Sequence, residues 1–362
     1  MGKVEKRKKI IIIYCSSESN KTLAYQTGWP VALMKNIKLK CYPINLGQNK
    51  YAAILKLIYF LIFKRNIEGI LLLHSVYSNT KQIPGIMVNI LKKENRKKIY
   101  FLANEYKLMP DKIKLVNNIK PTLVFTQSYD KKIVDLYAKS INAKVKSFSS
   151  CAIDEGRFNY KKAFEERKID IGYRSYKSPT YLGHNERHEI AEYFKNYCKK
   201  NGLISNISLE PDKRLTESEY AAFLNDCKFQ IGTEAGGDYF EMDDKTRIRI
   251  NKYLETNQDE MIEIYKVFFV DKERCPWRSI SGRHIEAAAC GSVQILFKGN
   301  YSGFMKAGVH YISLEKDFSN INQVIETMND RQRVKAIRDN GIKLAKEIFS
   351  YQKVIDRIIK EI

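Results

Sequence analysis

Residues 280–297 read I-S-G-R-H-I-E-A-A-A-C-G-S-V-Q-I-L-F. Ser281 and Gly282 stand before a run of helix-forming residues, which suits an N-cap and a close approach of backbone to a ligand. The stretch after Gly291, residues 292–297, is a short, almost wholly apolar run that reads as a buried strand. A helix opening at Ser281 turns its free N–H groups and positive dipole end toward the preceding loop, a suitable seat for a diphosphate. Arg283 and Glu286 are three residues apart and share one face of that helix. A carboxylate so placed accepts two hydrogen bonds from a ribose diol. By spacing alone the segment reads equally as an amphipathic helix with Ala-rich packing and a surface Arg–Glu pair.

The rest of the chain repeats the alternation of helix and strand. Near-continuous apolar runs at 9–15, 39–44, 69–74, 98–103, 122–126 and 145–148 predict strands of a parallel sheet covered on both faces. Between them lie helical periods. One is Ile83, Ile86, Met87, Ile90 and Leu91, with Pro84 at its start; another is Ile133, Leu136, Tyr137 and Ile141. Residues 149–168 are polar and without strong period, and read as a linker. A second series follows, with strands at 169–173, 204–209, 229–232 and 292–297. Its first helix, 186–200, carries an apolar face at Ile190, Tyr193, Phe194 and Tyr197 and is capped at Gly202. The end of the chain is helical, with Ser350 as an N-cap. The expected class is α/β: two Rossmann-like domains, residues 1–155 and 165–335, with C-terminal helices over 336–362 packing back across the first domain.

Composition narrows the setting. The 362 residues are 44% hydrophobic and carry 63 Lys and Arg against 41 Asp and Glu, a net charge of +22. That apolar content excludes a disordered chain. The charge excess creates a field that attracts phosphates, anionic lipid surfaces or nucleic acid, without choosing among them. The seven cysteines are scattered, form no C-x-x-C pair and lie at no zinc-site spacing, as in a reduced, cytoplasmic protein. The basic start of the chain mimics a signal peptide, but the apolar run behind it is too short and reads as the first strand. Residues 51–63, Y-A-A-I-L-K-L-I-Y-F-L-I-F, are too few to cross a bilayer. They read either as a core helix or as a helix lying in a membrane interface, its rim supplied by Lys50, Lys56, Lys64 and Arg65.

Five segments in order carry a family resemblance: I-G-Y-R at 171–174, G-T-E-A-G-G-D-Y-F-E-M-D at 232–243, I-S-G-R-H-I-E-A-A-A at 280–289, G-N-Y-S-G at 299–303 and G-V-H-Y-I-S-L-E-K-D-F at 308–318. Over roughly residues 169–351 the chain resembles GT-B glycosyltransferases, in particular bacterial enzymes of surface-polysaccharide and lipopolysaccharide synthesis. The resemblance implies a cleft between the domains, a nucleotide-sugar donor held by the C-terminal domain, and a glycan or lipid-linked acceptor at the N-terminal one. It assigns Glu286 to the donor ribose and Arg174 to the diphosphate, with Arg283, Ser281 and Gly282 supporting the loop and Arg187, with Lys177 behind it, as the candidate second phosphate cation. Tyr301 and Ser302, in the G-N-Y-S-G segment, join the donor set. Many retaining relatives carry a Glu seven residues before the ribose Glu; here Ser279 fills that slot, and Glu234 is the substitute. Retention or inversion at the sugar is left open.

An inverting reaction needs a base in the N-terminal domain. Glu105, directly after a strand, is the candidate at the cleft lip, with His74 and Glu18 as alternatives; helix capping or local hydrogen bonding accounts for each of them equally well. Asp238, Asp243 and Asp244 read as a solvated acidic loop. No cofactor and no metal are expected, because a helix N-terminus and Arg meet the leaving diphosphate's charge. The expected location is cytoplasmic, at the inner face of the membrane, with no nucleic-acid partner. The rivals are a sugar-nucleotide epimerase of the same fold and a non-catalytic basic nucleic-acid-binding protein, though no nucleic-acid-binding module is present.

Overall fold

The computed structural model describes residues 7–16 and 24–362. Glu18 lies outside the described residues. The chain forms two compact units. The first runs through Ser150, takes in Glu241–Asp244 and closes with Val354–Ile362; the second comprises Cys151–Phe240 and Lys245–Lys353.

The first unit is built on six parallel strands: β1 (Lys8–Tyr14), β2 (Leu39–Asn45), β3 (Gly69–Leu72), β4 (Lys97–Phe101), β5 (Leu123–Thr126) and β6 (Lys144–Ser147). Their order is β2-β1-β3-β4-β5-β6. Each apolar run read as a strand is one. The side chains of Ile10, Ile11, Ile12 and Ile13 are all buried, which requires cover on both faces of the sheet and explains why the run does not alternate. The last residues belong here too. Lys8 Nζ donates to the Ile359 carbonyl at 3.1 Å, and Lys38 pairs with Asp356 at 2.9 Å.

The second unit carries β7 (Ile169–Arg174), β8 (Ser205–Ser208), β9 (Cys227–Gly232), β10 (Ala235–Gly237), β11 (Trp277–Ser279), β12 (Val293–Phe297) and β13 (Ile312–Leu314). Five form a parallel sheet in the order β13-β12-β9-β7-β8, and β10 pairs antiparallel with β11. The strand order turns back at β7, with β8 on one side and β9 on the other, the place where sheets of this kind leave a crevice beyond their carboxyl ends. Helix Glu186–Lys200 buries Ile190, Ala191 and Phe194 in one core cluster, joined by Val334 and Ile337 from the start of helix Arg331–Phe349; helix Gly282–Ala289 forms the other with Ala345 and Phe349 from that helix's end. The three-residue strands β10, β11 and β13 were not anticipated, since so short a segment leaves no period to read.

Two expectations change. Residues 151–168, polar by composition, are an integral part of the second unit. Cys151, Ile153 and Phe158 enter its core, and buried Arg167 donates to the carbonyls of Cys227 and Cys290, each at 2.7 Å. Helix Arg331–Phe349 stays in the second unit against Gly282–Ala289, where Gly341 faces Ala288; only the tail from Val354 belongs to the first. The helix read at 51–63 spans Lys50–Phe63 and fully buries only Ala53 and Leu57. Among the described residues, no helix is long and apolar enough to cross a membrane.

Candidate active site

At the carboxyl ends of β7 and β9, and under the start of helix Gly282–Ala289, lies a small, partly open pocket. Its walls include Tyr173, Tyr220, Gln230, Thr233, Arg283 and His284. The sequence builds it by omission. A Cβ at Gly172 would overlap the side chains of Cys227, Gln230 and Phe223, so the I-G-Y-R glycine leaves them room on that face of the sheet. The run Ala287–Ala288–Ala289 is buried and lets the helix lie close on the sheet.

His284 locks the helix start in place. The Ser281 backbone N–H donates to its Nδ1 at 3.1 Å, which leaves the proton on Nε2, 3.1 Å from the Thr233 carbonyl. Burial, with Arg283 and Arg187 nearby, holds its pKa down at about 3, so the ring is neutral at physiological pH. Nothing in the sequence marks His284, although it lies between Arg283 and Glu286. A lone His at the third helix position carries no signature of its own.

Glu286 is half-buried, one turn into the helix. Among the described residues its carboxylate accepts no hydrogen bond and makes no ion pair. Burial, opposed only by Arg283, raises its pKa to about 7. Arg283 donates to the Ser175 hydroxyl at 3.1 Å. Its guanidinium lies 5.9 Å from the centre of the Tyr176 ring, and that of Arg187, in the first turn of helix Glu186–Lys200, lies 4.4 Å from it. Two cations thus converge on Tyr176 in the loop after β7, and one of them, Arg283, neighbours a carboxylate with nothing to accept from.

Other candidates are engaged elsewhere. Arg174 turns to the sheet edge, donating to the Asn206 carbonyl at 2.8 Å and its side-chain oxygen at 2.6 Å, over the Phe223 ring. A strand-end Arg has two sides open to it, and here the edge strand β8 takes it. Tyr301 is fully buried and donates from its hydroxyl to the Phe297 carbonyl at 2.5 Å. Ser302 accepts from the Ile280 N–H at 3.1 Å, so it holds the site loop from behind. Both residues have positive φ, 48° and 57°. Glu234 is buried, accepts from the Tyr301 N–H at 2.6 Å and lies against Gly299. The β10–β11 ladder pairs Ala235 with Ser279, so Glu234 stands next to the slot that Ser279 fills, despite their distance in sequence.

In the first unit, Glu105 is 0% exposed rather than at a lip. It accepts from Thr126 at 2.5 Å and from the Gln127 N–H at 2.7 Å. His74 is buried between Trp29 and Phe101, its pKa lowered by burial to about 4.

The acidic loop is solvated only at Asp243, which is exposed. Buried Asp238 accepts from Arg278 Nε at 2.9 Å and from Arg274 at 2.7 Å. Asp244, also buried, accepts from the Leu108 N–H. Arg278 binds both oxygens of Glu186 at 2.9 Å, and Lys316 reaches the same carboxylate at 2.6 Å. Burial alone would raise the Glu186 pKa; Arg278, His184, Lys316 and Thr233 bring it down to about 2. Arg278 and Glu186, 92 positions apart, gave no sign of each other in the sequence. Among the described residues no His, Cys, Asp and Glu cluster of metal-holding size occurs.

No protein-family model and no curated protein sequence matches this chain. Solved structures do. The Anabaena protein Alr3699/HepE, in complex with UDP and glucose, is 11% identical with a TM-score of 0.53, over 98% of this chain and 99% of that one. Sucrose-phosphate synthase from Thermosynechococcus elongatus is 9% identical with a TM-score of 0.54, over 98% of both. A glycosyltransferase from Rickettsia africae is 13% identical with a TM-score of 0.53, over 98% of this chain and 97% of that one. At these identities the likeness establishes the fold, which is the two-domain GT-B fold of glycosyltransferases.

Proposed function

We propose that this protein is a glycosyltransferase whose second unit binds a nucleotide-sugar donor, with Glu286 accepting from the ribose hydroxyls and Arg283 and Arg187 meeting the diphosphate. One observation carries the reading: a half-buried carboxylate without a hydrogen-bond donor, with the Arg283 guanidinium as its neighbouring cation, one turn into the helix that opens beside the strand ends. Removing a carboxylate from water without supplying donors is costly, and a site that does so fits a ligand bringing its own hydroxyls. The same fold in a protein solved with UDP and glucose supports the donor class. In this reading the sugar passes to a hydroxyl of a glycan or lipid-linked acceptor at the first unit, on the cytoplasmic side. The leaving diphosphate is stabilised by Arg rather than by a divalent cation.

Calorimetric titration with UDP-glucose, and with GDP-, CMP- and dTDP-sugars, tests the reading. One of these donors should bind, the Glu286→Gln variant should bind it at least about tenfold more weakly, and a chelator should leave turnover unchanged. Binding of none of the donors, or unchanged affinity in the folded variant, overturns the assignment of Glu286.

A further inference from the structure

Helix Lys50–Phe63 is anchored on one side only. The Asn49 side chain caps it, accepting from the N–H groups of Tyr51 and Ala52 at 2.9 and 3.1 Å. Ala53 and Leu57 fix it to the first unit, Phe60 packs on Tyr42 with ring centres 5.3 Å apart, and Arg96 donates to the Leu61 carbonyl at 3.1 Å. The opposite side is apolar and bare. Tyr51 is 80% exposed, Leu55 67%, Tyr59 46%, Ile62 65% and Phe63 65%. Positions 51, 55, 59 and 62 recur at helical spacing and form one stripe. So many large apolar side chains on one short helix mark a contact surface rather than scattered surface residues.

The charge around the stripe selects its occupant. Residues 19–67 contain eight Lys or Arg and no Asp or Glu. Lys50, Lys56 and Arg65 are exposed, and Lys64 lies 5.0 Å from the centre of the Tyr59 ring. A second copy docking here would set Lys against Lys, at a cost in repulsion. An anionic bilayer instead accepts the apolar stripe among its acyl chains and the cations among its headgroups, and aromatic side chains at the rim suit the interface. We infer that helix Lys50–Phe63 docks this protein on an anionic membrane surface, lying in the interface plane. At 14 residues the helix is about 21 Å long and too short to span. The inference is independent of the donor assignment, because the helix belongs to the first unit and Glu286 to the second.

The test is sedimentation of the full chain with phosphatidylcholine vesicles, with and without about one-third phosphatidylglycerol. The native chain should pellet with the anionic vesicles, and added salt should release part of it. The triple variant Leu55→Ser, Ile62→Ser, Phe63→Ser changes only exposed side chains. It should keep its circular dichroism and lose at least about tenfold in partitioning. Replacing Lys50, Lys56, Lys64 and Arg65 by Gln should remove the preference for anionic over neutral vesicles. Three results overturn the inference: no pelleting of the native chain, a folded triple variant that pellets as before, or a native dimer in solution that the triple variant abolishes. UDP-glucose titration of the triple variant without vesicles reports on the donor site separately.

Discussion

Glu105 and Glu286 are both carboxylates near the carboxyl ends of parallel strands, one in each unit, and burial raises the pKa of both. Their surroundings differ. Glu105 is fully enclosed and fed by Thr126 and Gln127. Close by, Lys112 donates to the carbonyls of Ala103, Asn104 and Lys107 at 2.7 to 2.9 Å and closes the turn that carries Glu105. Glu286 is half-buried and accepts no hydrogen bond among the described residues, and its neighbouring cation Arg283 leans on the Tyr176 ring. The lesson concerns satisfaction rather than burial. A buried carboxylate whose hydrogen bonds are complete is part of the fold; one whose acceptors are idle is the better candidate for a ligand's hydroxyls.

The comparison breaks most directly at Glu105. Glu105→Ala leaves the Thr126 hydroxyl and the Gln127 N–H buried without an acceptor. It should cost the first unit about 3 kcal/mol in chemical denaturation while donor affinity stays as it was. Loss of donor binding without loss of stability would reverse the roles of the two carboxylates.

Glu286→Gln should do the opposite. Stability should stay within about 0.5 kcal/mol, while the donor loses roughly 1.5–3 kcal/mol of binding free energy, measured by calorimetry.

The pH dependence sharpens the same contrast. With a pKa of about 7, free Glu286 carries a proton below neutrality, and hydroxyls donating to both oxygens favour the ionised form. Donor affinity should therefore rise with pH, by up to about tenfold per unit below 7, and level off above it. Calorimetry in buffers of different ionisation enthalpy should detect proton release on binding, and the Gln variant should show neither effect. Stability runs in the same direction with pH at His74, His184 and His284. Their native pKa values, about 4, 4 and 3, lie below that of the unfolded chain, so the stability each contributes is complete at neutral pH. It is lost as pH falls from about 6.5 toward those values.

The smallest effect is expected at Arg174. Because its guanidinium is held by Asn206, Arg174→Ala should change donor affinity by less than about 1 kcal/mol, and Arg283→Ala by more. Equal losses in the two variants would place Arg174 on the diphosphate after all.

The amino-acid sequence determined by itself what depends on local repetition. The six strands of the first sheet, the helix from Glu186 to Lys200 and the loop–helix–strand at 280–297 were all legible, because a buried parallel strand and a one-sided helix each impose a period on neighbouring residues. The pair Arg283 and Glu286 was legible for the same reason, being one helix face. Tertiary structure alone decided which charged groups find partners. Arg278 meets Glu186 and Asp238 across the second unit, Tyr301 feeds Glu234, and Arg174 turns toward Asn206 rather than the pocket. Tertiary structure also bared the outer side of helix Lys50–Phe63, whose residues would serve a core equally well. Hydrogen bonds and ion pairs act over a few ångströms between residues that can be a hundred positions apart, and leave no periodic trace along the chain.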